Sequence, residues 1–432
     1  MNWPAYPAYT KSGVEWLGNV PESWSIAPVR AAMYESDVRN VGGTDTNYLS
    51  LMANIGMIPY AEKGDVGNKK PEDLSKCKIV KQNDFVINSM NYQIGSYGVS
   101  KYDGVCSAVY IVLRHQPELV ELRFALRIFE TRSFQKYAQS FGNGILEHRR
   151  AISWDTLKGL RIAIPPLSEQ RRLLNFLDRE TAKIDALIDK QNHLIATLRE
   201  DRTATITHTV TKGLNPDAEM KDTGVEWLGE VPRHWSVSRF SRHIAINGGQ
   251  VDPRLTPYRD MPLIAPNHVE SRTGVLIGLE SAADQGADSG KYLVDSGQIV
   301  YSKIRPNLSK AVIAPCNCLC SADMYALSPD RLRFETAFVL RMLLSKPFTD
   351  YVVDSSMRVA MPKVNHDSLG AAPVWIPPLE EQRAIITHLD SECARVDTLI
   401  AKAAEVIKTL REYRSALITA AVTGKIDVRG AA

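Results

Sequence analysis

The sequence predicts a mixed α/β (α+β) chain with two variable domains, two long helices that form an antiparallel coiled coil, and an internal pseudo-two-fold repeat of about 212 residues. Three observations predict it. GVEWLGNVPESW at Gly13–Trp24 returns as GVEWLGEVPRHW at Gly224–Trp235, and ten of the thirteen positions from Gly13 to Ser25 are identical in the copy. The segment IPPLSEQRRLL from Ile164 returns as IPPLEEQRAII from Ile376, with about half of the next 48 positions matching at an offset of 212. The stretches between these repeats show almost no similarity to each other. A fixed period of this kind marks duplication, and here the two copies kept their ends and let their middles diverge.

In order, the chain divides into a marker segment (1–29), a variable domain (30–163), a long helix (164–213), a linker carrying the second marker (214–238), a second variable domain (239–375) and a second long helix (376–432). The helices are read from their stripes. Leu174, Leu177, Ile184, Ile188, Ile195 and Leu198 fall on alternating steps of three and four, as do Ile386, Leu389, Val396, Ile400, Ile407 and Leu410. A period near 3.5 is that of a coiled-coil seam. Thr181, Gln191 and Arg202 interrupt the first seam, and polar residues at such positions set register at a cost in stability. Pro165–Pro166 and Pro377–Pro378 block helix before each start, Ser168 caps the first helix, and Gly213 and Gly424 end the two. Each helix is expected to run about 44 residues, or about 65 Å.

The middles read as α/β. DFVINSM, VYIVL, GQIVYSKI and AVIAP are β-rich runs. LRFALRIFETRSFQKYAQS and ETAFVLRMLLSKPFTDYVVDS are amphipathic helical stretches at like places in the two halves, which predicts one shared fold for both middles.

With 432 residues the chain has room for two or three domains with real cores. It has no apolar run of membrane-spanning length and no secretory leader pattern at its start, so the expected home is the cytoplasm and no membrane partner is expected. Cys316, Cys318 and Cys320 in CNCLC alternate as on a strand, which favours buried thiols over a zinc turn. Residues 30–163 carry 18 Lys+Arg against 14 Asp+Glu, and residues 239–375 carry 15 against 13. Both middles are slightly basic, which permits a nucleic-acid surface without demanding one.

Catalytic and metal motifs are missing from the sequence. It contains no GxxxxGK[ST] phosphate loop, no GxSxG elbow and no HExxH. Its Pro-Pro pairs are flanked by Ile and Leu, so they offer no polar side chain to hold a target amine, as an amino-methyltransferase loop would. No catalytic residue and no metal site is assigned.

The paired markers, the IPPL.EQR helix starts and the alternation with unlike middles closely resemble the specificity (S) subunit of type I restriction-modification systems, over the whole chain. The resemblance implies a non-catalytic subunit of an adenine-N6 methyltransferase and restriction complex. Two target recognition domains would each read one half of a bipartite site in double-stranded DNA, and the helices would set the spacer. The implied partners are two methyltransferase (M) subunits and, in the full complex, restriction (R) subunits. S-adenosylmethionine, ATP and magnesium would sit on those partners, with no cofactor on this chain. The docking surface it implies includes Trp16, Leu17, Trp24, Glu169, Gln170 and Arg171, and in the second copy Trp227, Leu228, Trp235, Glu381, Gln382 and Arg383. The other reading of the marker is a staple holding each domain to its helix.

Base edges are read by Arg, Asn, Gln or Lys, and phosphates by Lys and Arg. In the first middle this favours Asn91, Tyr92, Gln93 and Lys101, with Asn143, His148, Arg149 and Arg150. In the second it favours Lys303, Arg305, Asn307 and Lys310, with Arg358, Lys363, Asn365 and His366. These pairs of loops occupy like positions in the two halves. The competing readings are a bivalent DNA-binding or scaffold protein without a methyltransferase partner, and a coiled-coil adaptor that binds no nucleic acid. The recognised bases are not written in the sequence.

Overall fold

The computed structural model describes residues 3–65, 69–142, 151–246, 248–356 and 362–430. It divides into two compact units, Met1–Gln191 with Glu405–Ala432, and Asn192–Ala404. Each unit therefore contains a piece of both long helices, Leu167–Lys212 and Leu379–Val422. No helix among the described residues is long and apolar enough to cross a membrane.

The first unit is built on a four-stranded antiparallel sheet in the order Met33–Glu35, Tyr110–His115, Phe85–Asn88, Tyr97–Val99. Phe85–Asn88 is buried along its whole length, which suits its unbroken apolar run for an inner strand. A hairpin, Leu49–Met52 with Gly56–Pro59, and a pair, Lys78–Val80 with Gly104–Cys106, add to the β part. The stretch expected as one helix is two, Leu122–Phe129 and Arg132–Ser140. Thr131 divides them: its hydroxyl donates to the Ile128 carbonyl and accepts from the Phe134 amide, capping the second helix where the apolar stripe alone shows no break.

The second unit repeats the plan. Its four-stranded sheet runs Ile244–Ile246, Met324–Pro329, Ile299–Ser302, Ala311–Ile313, the same order by chain position. Its helical stretch is also broken, into Thr336–Leu344 and Lys346–Ser356, at Ser345 with Pro347 just beyond. It differs by a five-stranded sheet that includes Cys318–Cys320 and one parallel pairing, Leu263 with Leu319. Cys318 and Cys320 are both buried there, and burial pushes both thiols up to about 12.

In each unit a strand just before the helix start pairs with the strand that follows the marker. Arg161–Ile164 pairs with Ser25–Pro28, and Pro373–Ile376 with Ser236–Arg239. The first helix starts at Leu167, so Ser168 lies inside it and is not the cap; the Pro166 carbonyl instead accepts from the Glu169 and Gln170 amides.

The helix ends close onto the same place. In the first unit Glu169 bonds Trp24, and Gly424, past the end of the second helix, lies against Pro21 and Trp24. In the second, Glu381 bonds Trp235, and Gly213 lies against both. Both glycines have left-handed backbone, φ 69° and φ 76°. A methyl on Gly424 would stand 2.3 Å from Cδ of the rigid Pro21 ring, whereas one on Gly213 would meet the flexible end of Glu381 at 2.9 Å. Gly424→Ala is therefore expected to destabilise by about 3 kcal/mol, from left-handed strain plus overpacking, and Gly213→Ala by about half as much. Urea unfolding of the two variants checks the difference.

Candidate nucleic-acid interface and the helix-start clamps

At each helix start a glutamine is completely buried. In the first unit Gln170 accepts from the Glu121 amide (2.8 Å) and donates to the carbonyls of Leu119 (2.9 Å) and Pro165 (2.8 Å). In the second, Gln382 accepts from the Glu335 amide (2.9 Å) and donates to the carbonyls of Arg333 and Pro377, both at 2.8 Å. The next residue adds an ion pair on the outside, Arg171 to Glu121 and Arg383 to Glu335, both 2.7 Å. One residue earlier, Glu169 accepts from the Trp24 indole (3.0 Å) and the Tyr6 hydroxyl (2.6 Å). Burial, then the Glu169 carboxylate, hold the Tyr6 phenol above its ordinary value. Glu381 accepts from Trp235 (2.9 Å) and faces His234 (2.8 Å).

These contacts correct most of the expected docking surface. Leu17, Trp24, Glu169 and Gln170 are buried in the first unit, as are Leu228, Trp235 and Gln382 in the second. They join the marker, the helix start and the variable domain, which leaves them no face for a partner in this conformation. Trp16 and Trp227 are half-buried: Trp16 donates to the Arg161 carbonyl and packs on Phe134, while Trp227 packs on Tyr351 and Trp375. Glu381 is partly buried, and Arg171 and Arg383 alone of the twelve are exposed.

The two loops expected to read DNA in the second unit lie side by side. The Arg305 amide donates to the Pro362 carbonyl, the Val364 amide donates to the Lys303 carbonyl, and Ile304 bridges Lys363. The matching bond in the first unit runs from the Ile152 amide to the Ser89 carbonyl. Asn143, His148, Arg149, Arg150 and Arg358 lie outside the described residues.

The remaining candidates separate by exposure. Arg305, Asn307, Lys363 and His366 are exposed, as are Asn91 and Lys101 in the first unit, while Gln93 is half-buried. Tyr92 is a correction. It is buried against Phe129 and Tyr97, and its hydroxyl donates to the Phe129 carbonyl, so it holds the loop from beneath. Lys303 and Lys310 are partly buried, and Asn365 is exposed but its side chain is committed to a cap. The Lys303 ammonium lies over the Tyr292 and Tyr325 rings and donates to the Ala322 carbonyl. Lys310 donates to the Pro266 carbonyl. The Asn365 side chain caps the helix His366–Ala371 by accepting from the Ser368 amide.

Arg305 and Ser309 both hold left-handed backbone, at φ 48° and 43°. A non-glycine residue there costs about 1–2 kcal/mol, and strain of this kind collects at functional loops. Sequence reasoning missed Arg272, which is also left-handed (φ 66°). Its guanidinium donates to the Asn307 carbonyl and its amide to the Ser309 carbonyl. The Ser-Arg-Thr-Gly turn at 271–274 was the available signal.

The family model for the type I restriction modification DNA specificity domain matches residues 36–196 and 235–408. The chain belongs to that family. Among specificity subunits, the type I restriction enzyme EcoDI specificity subunit of Escherichia coli is 26% identical over 350 residues, covering 78% of this chain and 77% of its own. The putative type I restriction enzyme MjaX specificity subunit of Methanocaldococcus jannaschii is 22% identical over 440 residues, covering 96% of each chain. A solved chain of a type I restriction-modification system superposes with a TM-score of 0.68 at 16% identity, over 93% of this chain and 98% of that one. The HsdS subunit of Thermoanaerobacter tengcongensis gives a TM-score of 0.50, also at 16% identity, over 94% and 98%. The two matched segments fall one in each half, so the specificity domain occurs twice in the chain.

Proposed function

We propose that this chain is the DNA sequence-specificity subunit of a type I restriction-modification complex. Each variable domain reads one half of a bipartite site, the two long helices pair antiparallel and set the spacer, and methyl transfer and cleavage belong to M and R subunits that carry S-adenosylmethionine, ATP and magnesium. The observation that carries this reading is the contrast inside each unit: the same glutamine clamp and helix start hold variable domains whose reading loops share no sequence. A joint that is constant and a reader that is not suit one partner recognised twice and two different half-sites. Antiparallel pairing is supported within each unit by Arg414 on Asp185 and Arg202 beside Asp397, together with the meeting of one helix start and the other helix end at Trp24 or Trp235.

The test is single-molecule sequencing of adenine methylation in a host carrying this gene and its M subunit, compared with the same host lacking this gene. One split adenine motif that vanishes with the gene supports the reading. An unchanged methylome overturns it in favour of a DNA-binding scaffold. Within that motif, Arg305→Ala is expected to relax base preference in one half-site only, by about 1–3 kcal/mol of discrimination. Equal weakening on all sequences would make Arg305 a phosphate contact.

A further inference from the structure

In the second unit one side chain links the turn beside the reading loop to both long helices. Arg202 falls on the apolar stripe of the first long helix and is 9% exposed. Its guanidinium donates to the main-chain carbonyls of Arg272 (3.2 Å) and Thr273 (3.5 Å), at the tip of the turn described above. Its Nε has no hydrogen-bond partner and stands 3.5 Å from Asp397 on the second long helix. Arg272 in turn holds the carbonyls of Asn307 and Ser309, in the loop that carries Arg305. Helix, turn and reading loop thus form one connected chain of contacts. A cavity of about 980 Å3 opens beside it, lined by Arg199, Thr203, Thr207 and Lys346 among others, so little else fills the space between turn and helix. The first unit has an arginine–aspartate pair at the same places, Arg414 on Asp185 at 2.9 and 3.3 Å, with each partner 212 residues from its counterpart.

We propose that Arg202 is a positioning residue: it fixes where the second reading loop stands on the two long helices, and so fixes the spacer at which the second half-site is accepted. The proposal rests on the specificity-subunit reading. A buried arginine whose charge faces a half-exposed aspartate and whose Nε goes unbonded is a poor way to gain stability. Polar groups at stripe positions are retained where they select one register over others. The bonds from Arg202 to the turn go to main-chain carbonyls, so they bear on the place of the loop and not on the bases that Arg305 and Asn307 would read.

The experiment uses the full chain with its M subunit. Methyl transfer is measured on duplexes carrying the wild-type motif with its native spacer, and with the spacer one base pair shorter or longer. Arg202→Met is expected to lower the preference for the native spacer by about tenfold, a size usual for coupled contacts in one network. Base preference in both half-sites and the thermal midpoint should stay as in wild type. Arg202→Lys keeps a charge beside Asp397 but loses the fork onto two carbonyls. It is expected to relax the spacer by about threefold, and it serves as the test if the Met variant does not fold. An unchanged spacer preference in a folded variant overturns the proposal. So does a midpoint lowered by more than about 10 °C, which would make Arg202 a stability element. If the wild-type complex methylates no split motif, the specificity-subunit reading fails instead.

Discussion

Gln382→Leu is expected to cost about 3 kcal/mol, because one buried and two partly buried main-chain groups lose their partner at once. The side chain is fully buried and spends both ends of its amide on the backbone: the Glu335 amide on one side, the Arg333 and Pro377 carbonyls on the other. Leucine fills a similar volume but bonds none of them. Each such group left without a partner costs about 1–3 kcal/mol. Gln170→Leu should do the same in the first unit, where Glu121, Leu119 and Pro165 are left. Urea unfolding followed by tryptophan fluorescence checks both. A loss below about 1 kcal/mol, the cost of a single orphaned group, would mean that water or a shifted helix start replaces the amide, and that the clamp is not what holds the domain.

Trp235→Ala should lower stability by about 3–5 kcal/mol, the usual range for deleting a buried tryptophan. The ring is fully buried in a cluster with Val210, Leu228, Val231 and Phe240, and its indole N–H bonds Glu381. This variant also separates two readings of the repeated marker. If Trp235 were a docking contact, its loss would weaken partner binding and leave unfolding unchanged. The packing predicts the reverse order: stability falls first, and any loss of the partner follows from it. Chemical denaturation of the free chain, run beside co-purification with the M subunit, distinguishes the two.

The long helices were legible because a 3.5-residue period sustained over many turns fits a helix that packs along its whole length, and neither a strand nor a loop produces it. Thr181 and Arg202, read as interruptions of the first seam, are both buried on the helix. The break at Thr131 was not legible, because the apolar stripe runs on across it and only local side-chain bonding divides the helix; the break at Ser345 had Pro347 as its signal. Tyr92 was misread for a related reason. Between Asn91 and Gln93 it looks like a reader, and only the Phe129 carbonyl across the domain shows that it faces inward. The clamp was half legible. Repetition marked Glu169, Gln170 and Arg171 as constrained but could not say whether a partner or the chain itself constrains them. Arg272 went unseen because the turn at 271–274 marks only a bend, and its bonds to residues 307 and 309 lie across the domain.

The buried glutamines have a consequence for variation. In both units the amide grips a carbonyl and an N–H two positions apart, at residues 119 and 121 and at 333 and 335, and it touches no side chain of the reader at those bonds. Such a socket is blind to spelling. Only the ion pairs outside it, Arg171 to Glu121 and Arg383 to Glu335, ask for a particular side chain. Substitutions elsewhere in the variable domain can therefore accumulate without disturbing the bonds the glutamine makes. The grammar of the joint is kept in the main chain, and the vocabulary is left to the side chains beyond it.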